Sequence, residues 1–399
     1  MTSAAAGGGS LAARFVAIDS RRYLAPGEVV WNRRGRIVAV RKARGAVADI
    51  CLLPGLVNAH AHLQIAPLAA PERDFVPWIG AVLRARAQGT MRGERQQVAE
   101  AVTDLLASGA TAVGDIDSTG NGRDLLRRSP LRGRSYRELT GFHLDRVAAR
   151  TLVRERWHGN RSGVLAAGLS PHAPYSVSAE LFRAAARQAR HLAIHCAEVP
   201  EEQQFLRTGR GPFADLLAQL GRLPEGFRAP GCGAVAWLQQ LAVLRATTQL
   251  VHCQELLRGD VARIAAAGAS IVVCPGTITY FRRQPPAVPA WLRAGIPVAL
   301  GTDSRASNAS LSMRDELAAA ASMWPGLSPS DLFKMATTNG ARSLGTAGLG
   351  TLRPGAAADF LVVPAAASFT ATLAAFVHGQ APLQAVVCGG RRRRAHTSR

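Results

Sequence analysis

Two histidines separated by a single residue stand in an apolar run near the start of the chain. The run is LPGLVNAHAHL, residues 53–63, and its histidines are His60 and His62. Alternate side chains of a strand share one face, which would place these imidazoles roughly 6.6 Å apart along the strand. Two neutral imidazoles in that arrangement can bind one metal ion, but hydrogen-bonded core histidines follow the same pattern. The spacing alone leaves both interpretations open.

Three more residues of metal-binding type lie near the ends of other apolar runs. His195 lies in LAIHCAE, His252 in LVHC and Asp303 in ALGTDS. If these runs are strands of one barrel, the three side chains converge with His60 and His62 at its mouth. Neutral imidazoles and an ionised carboxylate suit a borderline divalent ion, so we expect zinc, with iron as the alternative.

The elements that must position these residues are short apolar runs that alternate with longer amphipathic stretches. Such alternation is typical of a parallel α/β sheet, and eight units predict a (β/α)8 TIM barrel with its active site at the C-terminal ends of the strands. An open doubly wound sheet is the alternative, but it would not explain why most runs end in a chemically useful residue. The predicted strands are residues 55–62, 109–116, 136–142, 164–171, 192–198, 248–253, 269–275 and 297–303.

Helices are expected between these strands. Residues 178–190 form one helix-like segment, for which Ser178 is a suitable N-cap, and residues 328–344 form another.

The two ends of the chain differ from its centre. Residues 11–52 and 346–390 read as short β segments, and we expect them to pair into one small β-sandwich domain built from both chain ends. Residues 53–345 then form the metal-binding barrel, and residues 391–399 form a basic tail.

The charge of the chain is high, at +21 over 399 residues. A strongly basic protein can bind nucleic acid, which we keep as a distant alternative. However, all but two of the 48 basic residues are arginine, and they spread along the chain with a single run at residues 391–394. Arginine and alanine enrichment together indicate a codon bias rather than a polyanion site, so we expect no nucleic-acid partner.

The remaining composition is typical of a cytoplasmic globular protein. No apolar run approaches the roughly 18 residues of a membrane span. The first fifteen residues are expected to be small and flexible, and they lack the pattern of a signal peptide. Six scattered cysteines form no CxxC pair, which favours a reduced compartment. We therefore predict a cytoplasmic enzyme that does not associate with membranes.

Several motifs together resemble the amidohydrolase superfamily. They are PGLVNAHAHL, SPHAPYSVS, HCAE, LVHC, CPGTITYF, GTDSRASNASLSMRDEL and GLGTLRPGAAADFLVV. The chain is most similar to the aminohydrolase branch, which contains the aminodeoxyfutalosine and S-adenosylhomocysteine or methylthioadenosine deaminases, with the triazine chlorohydrolases alongside. The resemblance spans about residues 50–360, and it implies a distorted (β/α)8 barrel with a small β-domain.

The resemblance also implies roles for particular residues. Four match the family's metal ligands, and the others match catalytic or substrate-contacting positions. Glu198, three residues after His195 as in the family's HxxE, would protonate a ring nitrogen of the substrate. His252 would orient the attacking water, and His172 would contact the substrate. The implied ligands are His60, His62, His195 and Asp303, and Asp303 would in addition accept a proton from the water.

The lysine count bears on the number of metal ions. Binuclear members of the superfamily bridge two metals through a carboxylated lysine on the fourth barrel strand. This chain has no lysine between Lys42 and Lys334, so that bridge cannot form on any of the predicted barrel strands. We therefore expect a single divalent metal ion.

The expected reaction is the hydrolytic deamination of an aminated heterocycle, favoured by an acid at Glu198. An adenine-type nucleoside such as aminodeoxyfutalosine is the preferred substrate. A chlorohydrolase-like or other C–N hydrolase is the near alternative, and a family member without activity is a further one. The protein could also form a homo-oligomer. The expected substrate contacts are Trp78 and Glu138. Arg84 or Arg86 would face an anionic tail of the substrate. Tyr280 and Phe281 would form walls of the pocket.

Overall fold

The strands belong to two sheets. The computed structural model describes residues 8–155, 165–346 and 348–393. Within these ranges the strands are β1 (Gly9–Ala17), β2 (Tyr23–Leu24), β3 (Gly27–Trp31), β4 (Ile37–Lys42), β5 (Ala48–Pro54), β6 (Leu56–Ala61), β7 (Ala110–Asp117), β8 (Arg132–Leu139), β9 (Leu165–Pro171), β10 (Leu192–Cys196), β11 (Thr248–His252), β12 (Ser270–Val273), β13 (Val298–Leu300), β14 (Phe360–Pro364), β15 (Ala385–Cys388) and β16 (Arg391–Arg393).

The helices mostly lie between the strands of the second sheet. They are α1 (Phe75–Gln88), α2 (Met91–Ala107), α3 (Asn121–Leu126), α4 (Arg146–Arg154), α5 (Ala179–Gln188), α6 (Pro200–Thr208), α7 (Pro212–Gln219), α8 (Ala234–Gln240), α9 (Asp260–Ala267), α10 (Pro275–Tyr280), α11 (Val288–Arg293), α12 (Met313–Met323), α13 (Pro329–Met335), α14 (Thr338–Ser343) and α15 (Phe369–Val377). Among the described residues, no helix combines the length and apolar character that a membrane crossing requires.

The second sheet is a parallel barrel. Its strands β6 to β13 pair in sequence order, each parallel to the next. Helices cover the outside of such a sheet while side chains fill its inside, so its strands are buried on both faces. All eight residues of β7 and all five of β10 are buried. The predicted eight-stranded α/β barrel is confirmed.

The barrel closes where its last strand meets its first. The amide of Asp303 donates to the carbonyl of His60 at 3.1 Å, and the amide of His62 donates to the carbonyl of Asp303 at 3.1 Å. A side chain at Gly301 would put its Cβ 2.8 Å from the His60 carbonyl oxygen, closer than real Cβ atoms come. Glycine therefore permits this close approach, which joins three predicted metal ligands through their backbone.

The first sheet joins the two ends of the chain, as predicted. Its strands form one mixed sheet in the order β16, β15, β14, β5, β1, β3, β4, with β2 beside β1. β5 pairs parallel with β1 and antiparallel with β14, so the N-terminal and C-terminal segments meet at β5. Gly55 then separates β5 from the first barrel strand.

Several boundaries differ from the sequence predictions. The predicted strand 136–142 corresponds to β8, which begins four residues earlier. The early part of β8 contains Arg134, whose charge argued against a strand. Arg134 is nevertheless buried, and its Nε donates to the Leu344 carbonyl at 2.8 Å. The predicted helix 328–344 is two helices, because Thr337 breaks it at φ −134° and ψ −93°. Ser178 caps α5 as expected, accepting from the Leu181 amide.

The chain ends also depart from expectation. The N-terminal segment predicted to be flexible enters β1 at Gly9. The first three residues of the predicted basic tail, Arg391–Arg393, form β16 against β15. Residues 394–399, and with them His396, lie outside the described residues, as does His158.

Candidate active site

Five ionisable side chains meet at the C-terminal ends of four barrel strands. His60 and His62 come from the end of β6, His195 from β10, His252 from the last position of β11, and Asp303 from the residues after β13. Each is at most 6% exposed. Two overlapping groups have ligand atoms within 4.8 Å of one another and could hold a metal ion: His60, His62 and His195, and His60, His252 and Asp303.

The ring nitrogens of this cluster face a common point. The Nε2 atoms of His62 and His195 are 3.2 Å apart. Asp303 Oδ1 lies 3.7 Å from Nε2 of His60 and 3.7 Å from Nε2 of His62. The four ligands implied by the family resemblance are thus brought together, and His252 lies among them.

Left-handed backbone conformations occur at two of these positions. Asp303 has φ of 58° and His252 has φ of 73°, although neither is glycine. Such conformations cost of order 1–3 kcal/mol and persist where the surrounding structure imposes them. Here they turn both side chains toward the centre of the barrel mouth.

Several ring nitrogens of the cluster have no hydrogen-bond partner within the described part of the chain. They are both ring nitrogens of the fully buried His60 and Nδ1 of His62. The Nδ1 atom of His195 lies 3.0 Å from the His172 carbonyl oxygen, which can only accept, so Nδ1 carries the proton. The Nε2 atom of His195 is therefore left with a lone pair. Buried lone pairs without donors fit a bound divalent cation.

The charge states of the cluster fit the same cation. Burial lowers the pKa of His60, His62 and His195, which keeps these imidazoles neutral. Burial acts to raise the pKa of Asp303, but the neighbouring His60, His252 and His62 together more than offset this and hold that pKa well below its usual range. Metal ligands must be neutral imidazoles and ionised carboxylates, as these are.

Two hydroxyl groups hold Oδ2, the second carboxylate oxygen of Asp303. Thr277 Oγ1 donates to Oδ2 at 3.0 Å, and Ser307 Oγ donates to it at 2.9 Å. Both hydroxyls are buried. Because Oδ2 is occupied, Oδ1 is the atom that faces the histidines.

Glu198 lies beside the cluster with two partners of its own. Its Oε2 is 3.6 Å from Nε2 of His252, and Nη1 of Arg283 donates to its Oε1 at 3.3 Å. Burial raises the pKa of Glu198 to about 7, although Arg283 acts to lower it. Burial lowers the pKa of His252 to about 4, so its imidazole is neutral. A carboxyl group with a pKa near neutrality is suited to donating and regaining a proton.

A cavity opens above these residues. It holds about 1000 Å³ of empty space, including solvent at its mouth, and its walls are largely apolar. The three predicted substrate contacts, Trp78, Glu138 and His172, all line it, together with Glu198 and His252. The Trp78 indole is held in place because its Nε1 donates to the Ala306 carbonyl at 3.0 Å.

Other sequence expectations fall outside the cavity. Arg84 is exposed and does not border it, whereas Arg86 does, with Nη1 3.9 Å from Glu138 Oε2. Tyr280 and Phe281 do not line it, and Phe281 packs behind Trp78 with ring centroids 5.5 Å apart. The remaining described histidines also lie away from it; they are His143, His191 and His378.

Sequence reasoning missed several residues of the site. Arg283 could not be distinguished from the many other arginines of the chain. Thr277 and Ser307 lie inside motifs that indicated the family but gave no role to these two residues. Tyr175 follows the predicted contact His172 by three residues, and it stacks on Phe213 at a centroid distance of 4.0 Å. Phe213, from α7, lines the cavity, but the sequence does not indicate that this helix lies over it.

Solved structures with this fold include several hydrolases. Atrazine chlorohydrolase from Arthrobacter aurescens TC1, solved with zinc, superposes with a TM-score of 0.80 at 19% identity, covering 98% of this chain and 97% of that one. Aminofutalosine deaminase from Helicobacter pylori, solved with methylthio-coformycin, gives a TM-score of 0.79 at 23% identity, covering 96% and 99%. These similarities establish the fold.

Sequence comparison gives a nearer relationship. The chain is 35% identical over 359 residues to aminodeoxyfutalosine deaminase from Deinococcus radiodurans, covering 85% of this chain and 83% of that protein. It is 28% identical over 340 residues to the 5-methylthioadenosine/S-adenosylhomocysteine deaminase of Moorella thermoacetica, covering 79% and 73%. The sequence profile of the amidohydrolase family matches residues 51–393. The chain therefore belongs to the amidohydrolase family and is a metal-dependent hydrolase of C–N bonds, of the deaminase type.

Proposed function

We propose that this enzyme removes the amino group of aminodeoxyfutalosine by hydrolysis and releases ammonia. The observation that carries the choice of substrate is the 35% identity to the Deinococcus deaminase over most of both chains, against 28% for the methylthioadenosine/S-adenosylhomocysteine deaminase of Moorella. The cavity supports the choice, because apolar walls with a few polar groups suit a flat nucleoside base.

We further propose that His60, His62, His195 and Asp303 hold a single zinc ion, with iron as the alternative. Three imidazoles and one carboxylate are ligands of the type these ions prefer. A divalent ion in this place would lower the pKa of water and so supply a nucleophile near neutral pH. No lysine lies on a barrel strand to provide a bridging carbamate for a second ion.

The residues of the chain then divide the proton transfers between them. Glu198 in its acid form donates a proton to the ring nitrogen next to the reacting carbon, which makes that carbon electrophilic. Asp303, ionised, accepts a proton from the attacking water at Oδ1, since its Oδ2 is held by hydroxyl groups. His252, neutral and 3.6 Å from Glu198, orients the water and donates to the developing charge. Asp303 passes the proton it took from water to the amino group, which leaves as ammonia, and Glu198 regains a proton from the hydroxyl group of the intermediate as the carbonyl forms.

The remaining predicted residues position the substrate. Trp78 offers a fixed ring for stacking on the base. Glu138 accepts hydrogen bonds from sugar hydroxyls, and His172 contacts the base beside His195, with ring centroids 4.7 Å apart.

A panel of substrates tests the proposal. The purified enzyme, with its metal content measured, is given aminodeoxyfutalosine, methylthioadenosine, S-adenosylhomocysteine, adenosine and a chlorotriazine. We expect ammonia, and kcat/KM at least about tenfold higher for aminodeoxyfutalosine than for the other nucleosides. A higher value for methylthioadenosine would overturn the substrate. Chloride release without any ammonia would favour the chlorohydrolase alternative.

A further inference from the structure

A largely buried arginine beside the catalytic cavity takes no part in the proton transfers described above. Arg283 lies just after α10, its side chain is 14% exposed, and it does not line the cavity. The residue before it, Arg282, is exposed and has a left-handed backbone with φ of 54°. The Arg283 amide then donates to the carbonyl of Ile278, inside α10, at 2.9 Å, which fixes its main chain against the end of that helix.

Two aromatic rings hold the guanidinium group of Arg283. Its Cζ lies 4.4 Å from the ring centroid of Phe281 and 5.1 Å from that of Phe75. Its Nη2 is buried and has no hydrogen-bond partner in the part of the chain that the structure describes, so the negative faces of the rings compensate its charge. Both rings also pack against Trp78, with centroids 5.5 and 5.6 Å from it. One aromatic group thus holds Arg283 and the indole that is proposed to stack on the substrate.

Arg283 makes the two carboxyl oxygens of Glu198 different from each other. Its Nη1 donates to Oε1 at 3.3 Å, whereas Oε2 lies on the side of His252, 3.6 Å from Nε2 of that imidazole. A guanidinium group can only donate, which favours the proton of the acid form on Oε2. Among the described residues, Arg283 is the one hydrogen-bond donor to this carboxyl group, while the Glu198 amide is fixed separately by donating to Oε2 of Glu202 at 2.8 Å.

The charge of Arg283 and its position would affect the reaction in opposite directions. Burial raises the pKa of Glu198 to about 7, although Arg283 acts to lower it. Removing the charge alone would raise this pKa further. Because about half of the carboxyl groups are already protonated at pH 7, the acid form could then increase by at most about twofold. Removing a donor that orients the carboxyl group would instead lower the rate, so the sign of the change separates the two roles.

From these contacts we propose that Arg283 is the positioning residue of the catalytic acid. It holds Glu198 through Oε1 and thereby directs Oε2, with its proton, toward the ring nitrogen of the substrate. This inference rests on the proposed deamination, in which Glu198 is the acid. Because Phe75 and Phe281 hold both Arg283 and Trp78, the acid and the stacking surface for the substrate ring are kept in a fixed relation to each other.

Two variants of Arg283 and one matched control test this inference. Arg283→Met keeps an unbranched side chain against the aromatic rings but removes the charge and the donor, whereas Arg283→Lys keeps a cationic donor. The control is Arg282→Met, which makes the same replacement at the exposed arginine one position earlier. For each protein, kcat and KM for ammonia release and the metal content per chain are measured with the nucleoside of the panel above that has the highest kcat/KM.

Arg283→Met should lower kcat by roughly 10- to 100-fold and leave KM within about threefold, because the acid is displaced while the substrate ring remains stacked. Arg283→Lys should keep at least about threefold more kcat than Arg283→Met. Arg282→Met should stay within about twofold of the wild type. Metal content should be the same in all of them, since neither arginine belongs to a group of candidate ligands.

A double-mutant cycle tests whether Arg283 acts through Glu198. If it does, adding Arg283→Met to Glu198→Gln should change the remaining kcat by less than about threefold, because the acid is already absent. Losses that multiply would show a separate structural role and overturn the inference.

Three other results would also overturn it: an unchanged or higher kcat in Arg283→Met, a raised KM with kcat preserved, or an equal loss in Arg282→Met. Absence of ammonia from every nucleoside with the wild type would overturn the proposed function and this inference with it.

Discussion

Replacing Glu198 by glutamine removes a transferable proton from the cavity while preserving the size of the side chain. Glu198 is 3% exposed, and burial raises its pKa from 4.5 to about 7. At pH 7, a carboxyl with the lower value would be protonated in roughly one molecule in 300, whereas one with the higher value is protonated in about half. The site therefore holds roughly 150 times more of the acid form than an exposed glutamate would.

Proton donation by a placed acid contributes roughly 10²–10⁴-fold to a rate, and we expect Glu198→Gln to lower kcat by that factor. Metal content should not change, because Glu198 belongs to neither group of candidate ligands. The assay is ammonia release at saturating substrate, with metal per chain measured on the same sample. The matched control is Glu201→Gln in the first turn of α6, which does not line the cavity and should keep kcat within about twofold.

The pH profile provides the second test of this role. A general acid acts only while protonated, so wild-type kcat/KM should fall as pH rises above about 7. This decline should be absent from the residual activity of Glu198→Gln. A variant that keeps its metal and works within about threefold of the wild-type rate would refute the acid role. Joint loss of metal and activity would instead assign Glu198 to the metal site.

Three further predictions concern the metal site and stability. His60→Asn should leave less than about a tenth of the wild-type metal content by elemental analysis, and full occupancy would contradict its role as a ligand. Thr277→Val removes one hydroxyl from Asp303 and should weaken metal affinity by about 10- to 100-fold in competition with a chelator; an unchanged affinity would show that the second hydroxyl suffices. Burial raises the pKa of Glu316 to about 8, so the folded protein binds more protons than the unfolded chain between about pH 4.5 and 8, and this group's contribution to stability is lost as pH rises through that window. The Tm of Glu316→Gln should therefore rise relative to wild type between about pH 5 and 8.5, whereas a constant difference would refute the linkage.

The sequence predicted the barrel because its evidence is local. Most barrel strands are short runs of apolar residues, each separated from the next by an amphipathic stretch. The weaker predictions also have local causes. β8 contains a buried arginine near its start, so the apolar pattern did not show where the strand begins. Thr337 ends one helix before the next begins, although the apolar pattern continues through it. Patterns of apolar residues reveal burial, but they do not reveal a polar side chain that finds its partner within the core.

The residues available for chemistry can be read from the amino-acid sequence: histidines and a carboxylate at strand ends, an acid three residues after His195, and no lysine on a barrel strand for a bridging group. The contacts that set the pKa values and orientations of these residues come from the folded structure. The Thr277 hydroxyl reaches Asp303 across 26 positions, and Arg283 pairs with Glu198 across 85 positions. Such contacts depend on how strands and helices pack, and packing places side chains by position in space rather than by spacing along the chain.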